Sequence, residues 1–356
     1  MTASGIATVA RQEFRLRIRA GRWKALLAAF FLVLLVFTVL LQSALAGLAP
    51  QELPYQGTVL FGGLMLFVLG LALLVVPALA AQSVNGDRER GTLATLQVTR
   101  LSAAEIALGK FAAAWGTSLV FLALTLPLVG YAMTRSGVPL GRVLVVLLVL
   151  SLLLGTVCAI SLCLSTLLSR TTTSGVLAYL SVFALGVGTL IVFGLVTATT
   201  TETYEQTYRE TCEQAPPDSG CVPGEQRFTT SRARTDRTWW LLAPNPFVVL
   251  ADAAPRLPDR EPVLEGDVGV AVQASDLDPL GQIGRTVRDL RRPPDDRVLG
   301  TAPLVDEGGR PVQEEPPAVW PAGLAVDVLL GAGALVLTVR RLRTPTRTLP
   351  RGQRVA

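Results

Sequence analysis

Seven charged side chains fall between two long apolar runs, in the stretch NGDRERGTLATLQVTRLSAAEIALGK from Asn85 to Lys110. Asp87, Arg88, Glu89 and Arg90 alternate in sign; Arg100 and Glu105 follow, and Lys110 closes the stretch. Mixed charge at this density suits either a solvated loop of balanced charge or a polar contact with another protein, where complementary charges set register and partner choice. It does not suit catalysis. The chain has no histidine, which removes imidazole general bases, imidazole metal ligands and histidine pH switches. Gly109-Lys110 is followed by Phe111, so it is not the end of a phosphate-cradling G-x-x-x-x-G-K-[ST] loop.

Two other groups have chemical potential. Asp327 stands about eight residues into the last apolar run, where a carboxylate is costly and often functional. It is a candidate to line a translocation path, to pair with Arg142, or to be solvated near the headgroups. Beyond it Gly331 and Gly333 permit close helix packing, a candidate dimer contact. Cys212 and Cys221 lie in the polar, Pro-containing TCEQAPPDSGC and are a candidate disulfide if that segment is outside the cell. Cys158 and Cys163, inside an apolar run, read as packing residues. No metal site is expected.

The elements that must position these residues are membrane helices. Half of the 356 residues are apolar and 17% charged, against roughly 25% charged in soluble domains. Six runs reach the ~20 residues a crossing needs: 24–46, 57–81, 108–133, 142–168, 175–198 and 319–339. The first is longer than a signal-peptide core and reads as an uncleaved helix. Only the sixth is expected to hold a buried charge. Pro77 and Pro127 should kink their helices.

Arginine placement orients the chain. The N-terminus carries Arg11, Arg15, Arg17, Arg19, Arg22 and Lys24 against Glu13, and the tail carries six arginines and no acid. Both termini are therefore expected in the cytoplasm, with the 82–107 connection. Segment 199–318, with 21 acids and 13 arginines, is expected outside. The overall charge of +5 reflects this anchoring and not a nucleic-acid surface. An arginine-dominated, Ala/Gly/Val/Leu-rich composition points to a GC-rich bacterial genome and so a bacterial plasma membrane.

Within 85–110, Asn85-Gly86 marks a turn out of the membrane. A short helix from Asp87 would have Leu93 and Leu96 as its apolar edge and leave Arg88, Glu89 and Arg90 free for a partner. A break near Thr99-Arg100 follows. Ser102-Ala-Ala-Glu105 then reads as a capping box opening the next helix. The N-terminal VARQEFRLRIRAGRWKALL is a basic helix with Phe14, Ile18 and Trp23, the pattern of an interfacial helix. TWWLLAPNPFVVLADAA, from Thr238 to Ala254, is too short to cross and is broken by Pro244 and Pro246; it reads as re-entrant or lying in the outer interface.

The stretch resembles the motif of type-2 ABC exporter permeases, E-x-E-x-G-T-L followed by E-I-x-x-G-K. Asp87, Glu89, Gly91, Thr92, Leu93, Glu105, Ile106, Gly109 and Lys110 carry the match. Asp87 stands where Glu is usual, and Arg100 where Pro is common. LLSRTTTSGVLAYLSVFALG, from Leu167 to Gly186, resembles the family's turn between spans four and five. The resemblance implies an all-α integral membrane fold: six spans, an N-terminal interfacial (elbow) helix, cytoplasmic coupling helices between spans two and three, and a large extracytoplasmic insertion between spans five and six. The units are 1–198 with the coupling element 82–107, the outer segment 199–318, and span six with its basic tail, 319–356.

By the same resemblance, Asp87, Arg88, Glu89, Arg90, Gly91, Thr92, Leu93 and Glu105 couple the chain to an ABC ATPase dimer, which binds ATP and Mg in its own subunits. The implied partners also include a second permease copy, identical or paralogous, and membrane lipids. The implied function is the permease subunit of an exporter for a hydrophobic or amphiphilic substrate. The alternative is a non-transporting permease-like subunit that transmits ATPase motion to its outer domain.

Overall fold

The protein is described by a computed structural model over residues 2–19, 21–48, 55–89, 101–135, 137–210, 224–257, 262–265, 271–273, 277–292 and 317–343. Every long apolar run becomes a helix, the form that satisfies its own backbone where no water can. Helix α1 (Ala3–Arg19) precedes α2 (Gly21–Leu48), the first span. Helix α3 (Gln56–Ala80) runs through turns at 81–84 into α4 (Asn85–Glu89), and together they form the second. The third is α5 (Ala103–Leu124) and α6 (Leu126–Thr134). They part at Thr125, where Pro127 cannot donate the next helical hydrogen bond. Helix α7 (Leu140–Leu167) is the fourth span. The fifth is α8 (Thr171–Phe183), a π-helical turn (Ala184–Gly188) and α9 (Thr189–Thr199).

The sixth span closes the membrane part as α13 (Trp320–Arg343). Among the described residues, six helical stretches are long and apolar enough to cross a membrane, as the runs lead one to expect.

Spans two, three and four form the centre. Their most apolar stretches are 67%, 50% and 61% buried, against 17%, 11% and 22% for spans one, five and six. The core joins Leu60, Phe61, Leu64 and Met65 of span two to Leu150, Leu153 and Leu154 of span four. The peripheral spans leave Leu40, Ile191, Leu195 and Leu329 exposed, as lipid-facing helices do. Span six lies on span four: a Cβ on Gly331 would be 3.2 Å from Thr156 Cα, so the close approach this glycine allows is made within the chain. Gly333 meets nothing within 4 Å.

The second and third spans outrun a bilayer. At 34 and 32 residues they measure about 50 Å, at ~1.5 Å per residue, against a hydrocarbon core of ~30 Å.

The insertion between spans five and six departs from the all-α expectation. Strands β1 (Thr201–Glu210) and β2 (Gly224–Ala233) form an antiparallel hairpin, in register from Thr201↔Ala233 to Glu210↔Gly224. Thr and Tyr recur along β1, residues that favour a pleated surface. A short helix α10 (Thr235–Thr238) and a 3-10 turn (Trp239–Leu242) lead to α11 (Pro246–Ala253), with the breaks at Pro244 and Pro246 as expected. A second hairpin pairs β3 (Pro262–Glu265) with β4 (Ala271–Gln273), and α12 (Pro279–Asp289) follows. At eight residues α11 cannot cross, yet Val248 to Ala253 are buried against the bundle.

Candidate functional site

At the α4 end the chain builds one polar hub, and Lys110 is its centre. The side chain is 0% exposed. Its ammonium donates to Glu13 of α1, to Asp87 of α4 and, at 2.9 Å, to the Ser83 carbonyl at the end of span two. Three elements thus share one cation. The expectation that only the last run holds a buried charge is corrected here. Helix α5 starts at Ala103, before its apolar run, and places Lys110 inside protein, where two carboxylates replace its water. A buried cation persists only with such partners, and breaking a buried pair costs about 3–5 kcal/mol.

Glu105 forms the second knot. The capping box is present: Ser102 Oγ accepts from the Glu105 N–H while the Glu105 carboxylate accepts from the Ser102 N–H at 2.8 Å. Its other oxygen accepts from the N–H and hydroxyl of Thr2, at 2.6 and 2.8 Å. The start of α1 is therefore tied to the start of α5. One turn on, a Cβ at Gly109 would be 2.6 Å from Val9 Cβ and 3.0 Å from the Ile6 carbonyl, so only glycine lets α1 lie this close. Further along, Arg17 donates to Thr117 Oγ1 at 2.9 Å. Burial pulls the Arg17 pKa down, with Glu13 opposing. These contacts advance along both helices in the same direction, so α1 is braced along span three.

The remaining charges of α4 face spans four and five. The N–H groups of Val84 and Asn85 donate to Ser165 Oγ, at 3.2 and 3.1 Å. Asn85 is fully buried and begins α4, where a turn leaving the membrane was expected. Arg88 donates to the carbonyls of Thr166 and Leu168, a cation at the C-terminus of α7 where the helix dipole favours it. Glu89 is exposed and accepts from Thr171 Oγ1 at 2.8 Å, at the first turn of α8. Ser174 Oγ donates to the Ala81 carbonyl. The Leu167–Gly186 stretch thus packs its start against the end of span two.

Of the candidate partner-facing residues, Asp87, Arg88 and Glu89 share α4 and Glu105 stands in the first turn of α5; Asp87 and Glu105 are turned inward. Arg90, Gly91, Thr92 and Leu93 lie outside the described residues, as do Leu96 and the expected break at Thr99-Arg100. Cys212 and Cys221 also lie outside them, in the connection between β1 and β2.

At the opposite end Asp252, fully buried, accepts from the N–H groups of Val319 and Trp320 at 2.6 and 2.8 Å, and pairs with Arg256 and Arg288. It joins α11, α12 and the start of span six. Asn245 caps α11 through its Oδ1 and donates its amide to the Gly186 carbonyl, at 2.7 Å, and to Thr189 Oγ1. A π-turn releases a carbonyl from the regular ladder, and Asn245 satisfies one in the turn of span five.

Asp327 is 2% exposed. Its backbone carbonyl accepts from Thr156 Oγ1 at 3.1 Å, which sets it at mid-height on span four. That is 14 residues, or about 21 Å of helix, from Arg142, which is exposed. The pairing with Arg142 and the solvated position near the headgroups are both ruled out by this depth. Among the described residues Asp327 Oδ2 has no hydrogen-bond partner. No group of three or more Cys, Asp or Glu is placed to hold a metal ion among the described residues.

A family model described as "ABC-2 family transporter protein" matches residues 7–251, more than half of the chain. The chain belongs to that family. No curated protein matches it. The ABC-2 match runs from α1 into α11, so it takes in the whole hub. The protein is a multi-pass ABC transporter permease, of a family whose members work with ATPase subunits and are typically not themselves catalytic.

The reading from sequence missed Glu13, Thr2, Arg17, Asn245 and Asp252. One signal was available: Lys110 is one of two lysines and stands against an apolar run, a position that demands a buried counter-charge.

Proposed function

We propose that this permease is the membrane subunit of an exporter and takes its motion from a separate ATPase dimer docked at the α4 end. The observation that carries the reading is the Lys110 hub. Asp87 of α4, Glu13 of α1 and the end of span two meet on one buried side chain of span three. A push on the Asp87–Leu93 region is then transmitted to spans two and three together, where an untethered loop would absorb it. Asp87 and Glu105 are positioning residues, while Glu89, with Arg90, is offered to the ATPase. The basic termini support a cytoplasmic α4 end and a bacterial plasma membrane location. The permease works as a homodimer or with a paralogue, and its substrate is hydrophobic or amphiphilic.

The test is charge reversal. Glu89→Arg in the full chain should lose co-purification with a co-expressed ABC ATPase partner, while the thermal midpoint stays near wild type. If the reversed protein still binds and stimulates the ATPase fully, the coupling assignment is wrong. On the same orientation Cys212 and Cys221 are outside and joined, so thiol counting without reduction should find two free thiols per chain.

The second reading, a non-transporting subunit that moves its outer segment, draws on Asp252. That residue fastens α11 and α12 directly to the start of span six. Transport by vesicles holding permease and ATPase favours the first reading; ATP-driven change in the insertion without transport favours the second.

A further inference from the structure

Helix α1 has two faces, and the hub uses one of them. Gly5 and Val9 are buried, and Glu13 and Arg17 reach Lys110 and Thr117 of span three. The other face carries Thr8, Arg11, Gln12, Arg15, Leu16 and Arg19, which line an open recess of about 390 Å³. All six residues are exposed.

Arg11, Arg15 and Arg19 stand four residues apart, so they form a ladder on one side of the helix with rungs about 6 Å apart. Among the described residues no acid pairs with any of the three. The one acid of α1, Glu13, is held by Lys110 on the other face. A guanidinium is a planar fork of donors that matches the oxygens of a phosphate, and the Gln12 amide adds further donors between the rungs.

Leu16 and the membrane decide what kind of phosphate. Leu16 is 63% exposed within the ladder, and Ile18 nearby is 44% exposed. A soluble phosphate gains nothing from these apolar groups, whereas a phospholipid lays its glycerol backbone on them. Arg19 stands four residues before Trp23, where the first membrane-spanning stretch begins. That end of the ladder therefore meets the bilayer where headgroups lie, and an acidic protein would have to displace them.

We propose that this face of α1 binds the phosphate of an anionic phospholipid through Arg11, Arg15 and Arg19, with Leu16 against the glycerol backbone. An interfacial helix needs only a place at the membrane; the ladder adds a preference for headgroup charge. A zwitterionic lipid also carries a phosphate, but its own cation offsets the charge, and the recess brings no acid to receive that cation.

The full chain, delipidated in a non-ionic detergent, is titrated with dioleoyl-phosphatidylglycerol or dioleoyl-phosphatidylcholine, and bound lipid is counted by native mass spectrometry. Saturable binding of phosphatidylglycerol is expected, about tenfold tighter than that of phosphatidylcholine. The combined Arg11→Gln, Arg15→Gln and Arg19→Gln variant should lose the preference, and Arg15→Glu alone should reduce it severalfold even if the triple variant fails to fold. Arg340→Gln, Arg341→Gln and Arg343→Gln together remove the same charge from the end of span six and should leave the preference intact. Equal binding of the two lipids, or an undiminished preference in the α1 variants, overturns the site. Displacement of the lipid by an equal concentration of glycerol 1-phosphate would show a soluble-anion site, and displacement by hexaglutamate an acidic-protein face; either result overturns the proposal. No step involves the ATPase, so this site and the coupling reading fail separately.

Discussion

Replacing Lys110 with Met keeps an unbranched side chain of similar length and removes the charge. Glu13 and Asp87, whose side chains are only 18% and 12% exposed, would then lose the cation they share. Removing one member of a buried pair costs about 3–5 kcal/mol. At ~1.4 kcal/mol per tenfold, that lowers the folded-to-unfolded ratio by roughly two to three and a half powers of ten. Each kcal/mol moves the midpoint of a large domain by about 2–4 °C, so the melt should fall by on the order of 10 °C. Cys158 and Cys163 are buried free thiols, so a thiol-reactive fluorophore reports the melt of the detergent-purified protein. Lys110→Met combined with Asp87→Asn and Glu13→Gln should recover most of the loss, because apolar or neutral replacement of a whole buried cluster is often tolerated. A Lys110→Met protein that melts within a degree or two of wild type, or a triple variant no better than the single, refutes the hub as the tie between α1, α4 and span three.

Gly109→Val places a side chain where Val9 and the Ile6 carbonyl already are; α1 should undock, seen as faster proteolysis within residues 3–19 with the rest of the bundle intact. Asn245→Ala removes a cap worth about 0.5–2 kcal/mol and strands the Gly186 carbonyl, so hydrogen exchange at 184–190 should rise selectively. Asp252→Ala takes the carboxylate away from the Val319 and Trp320 N–H groups and from Arg256 and Arg288, a loss of about 3–5 kcal/mol, read as a lower melting midpoint that Asp252→Asn only partly restores. In the insertion, Arg234 hydrogen-bonds Asp236 and holds its carboxyl below the usual range. A lowered acid contributes stability that is present above its unfolded value and lost as pH falls through the folded one. Tryptophan emission, with Trp239 and Trp240 close by in sequence, should therefore change on acidification below the ordinary carboxylate range, and Asp236→Asn should abolish that transition.

Chemistry that is local in the chain was legible in the sequence. Six apolar runs determined six helices because a backbone in lipid has few alternatives. Ser102 and Glu105 determined a capping box because its partners are three residues apart. Pro127 and Pro244 determined breaks because the missing N–H belongs to the residue itself. The β1 hairpin was legible in principle through its Thr and Tyr, but its polarity and the family resemblance drew the reading toward an all-α fold. Tertiary structure alone decided which charges serve the surface and which serve the interior. Asp87 and Glu89 are two residues apart and alike in charge, yet one is held by Lys110 and the other is exposed. Nothing local separates them. The difference comes from α1, which lies across Gly109 and brings Glu13 from 97 residues away, closing a buried site that only long-range packing can form. Asp327 follows the same rule: its level against Thr156, and its place beside Val182 and Leu185 of span five, exist only once spans four, five and six are packed.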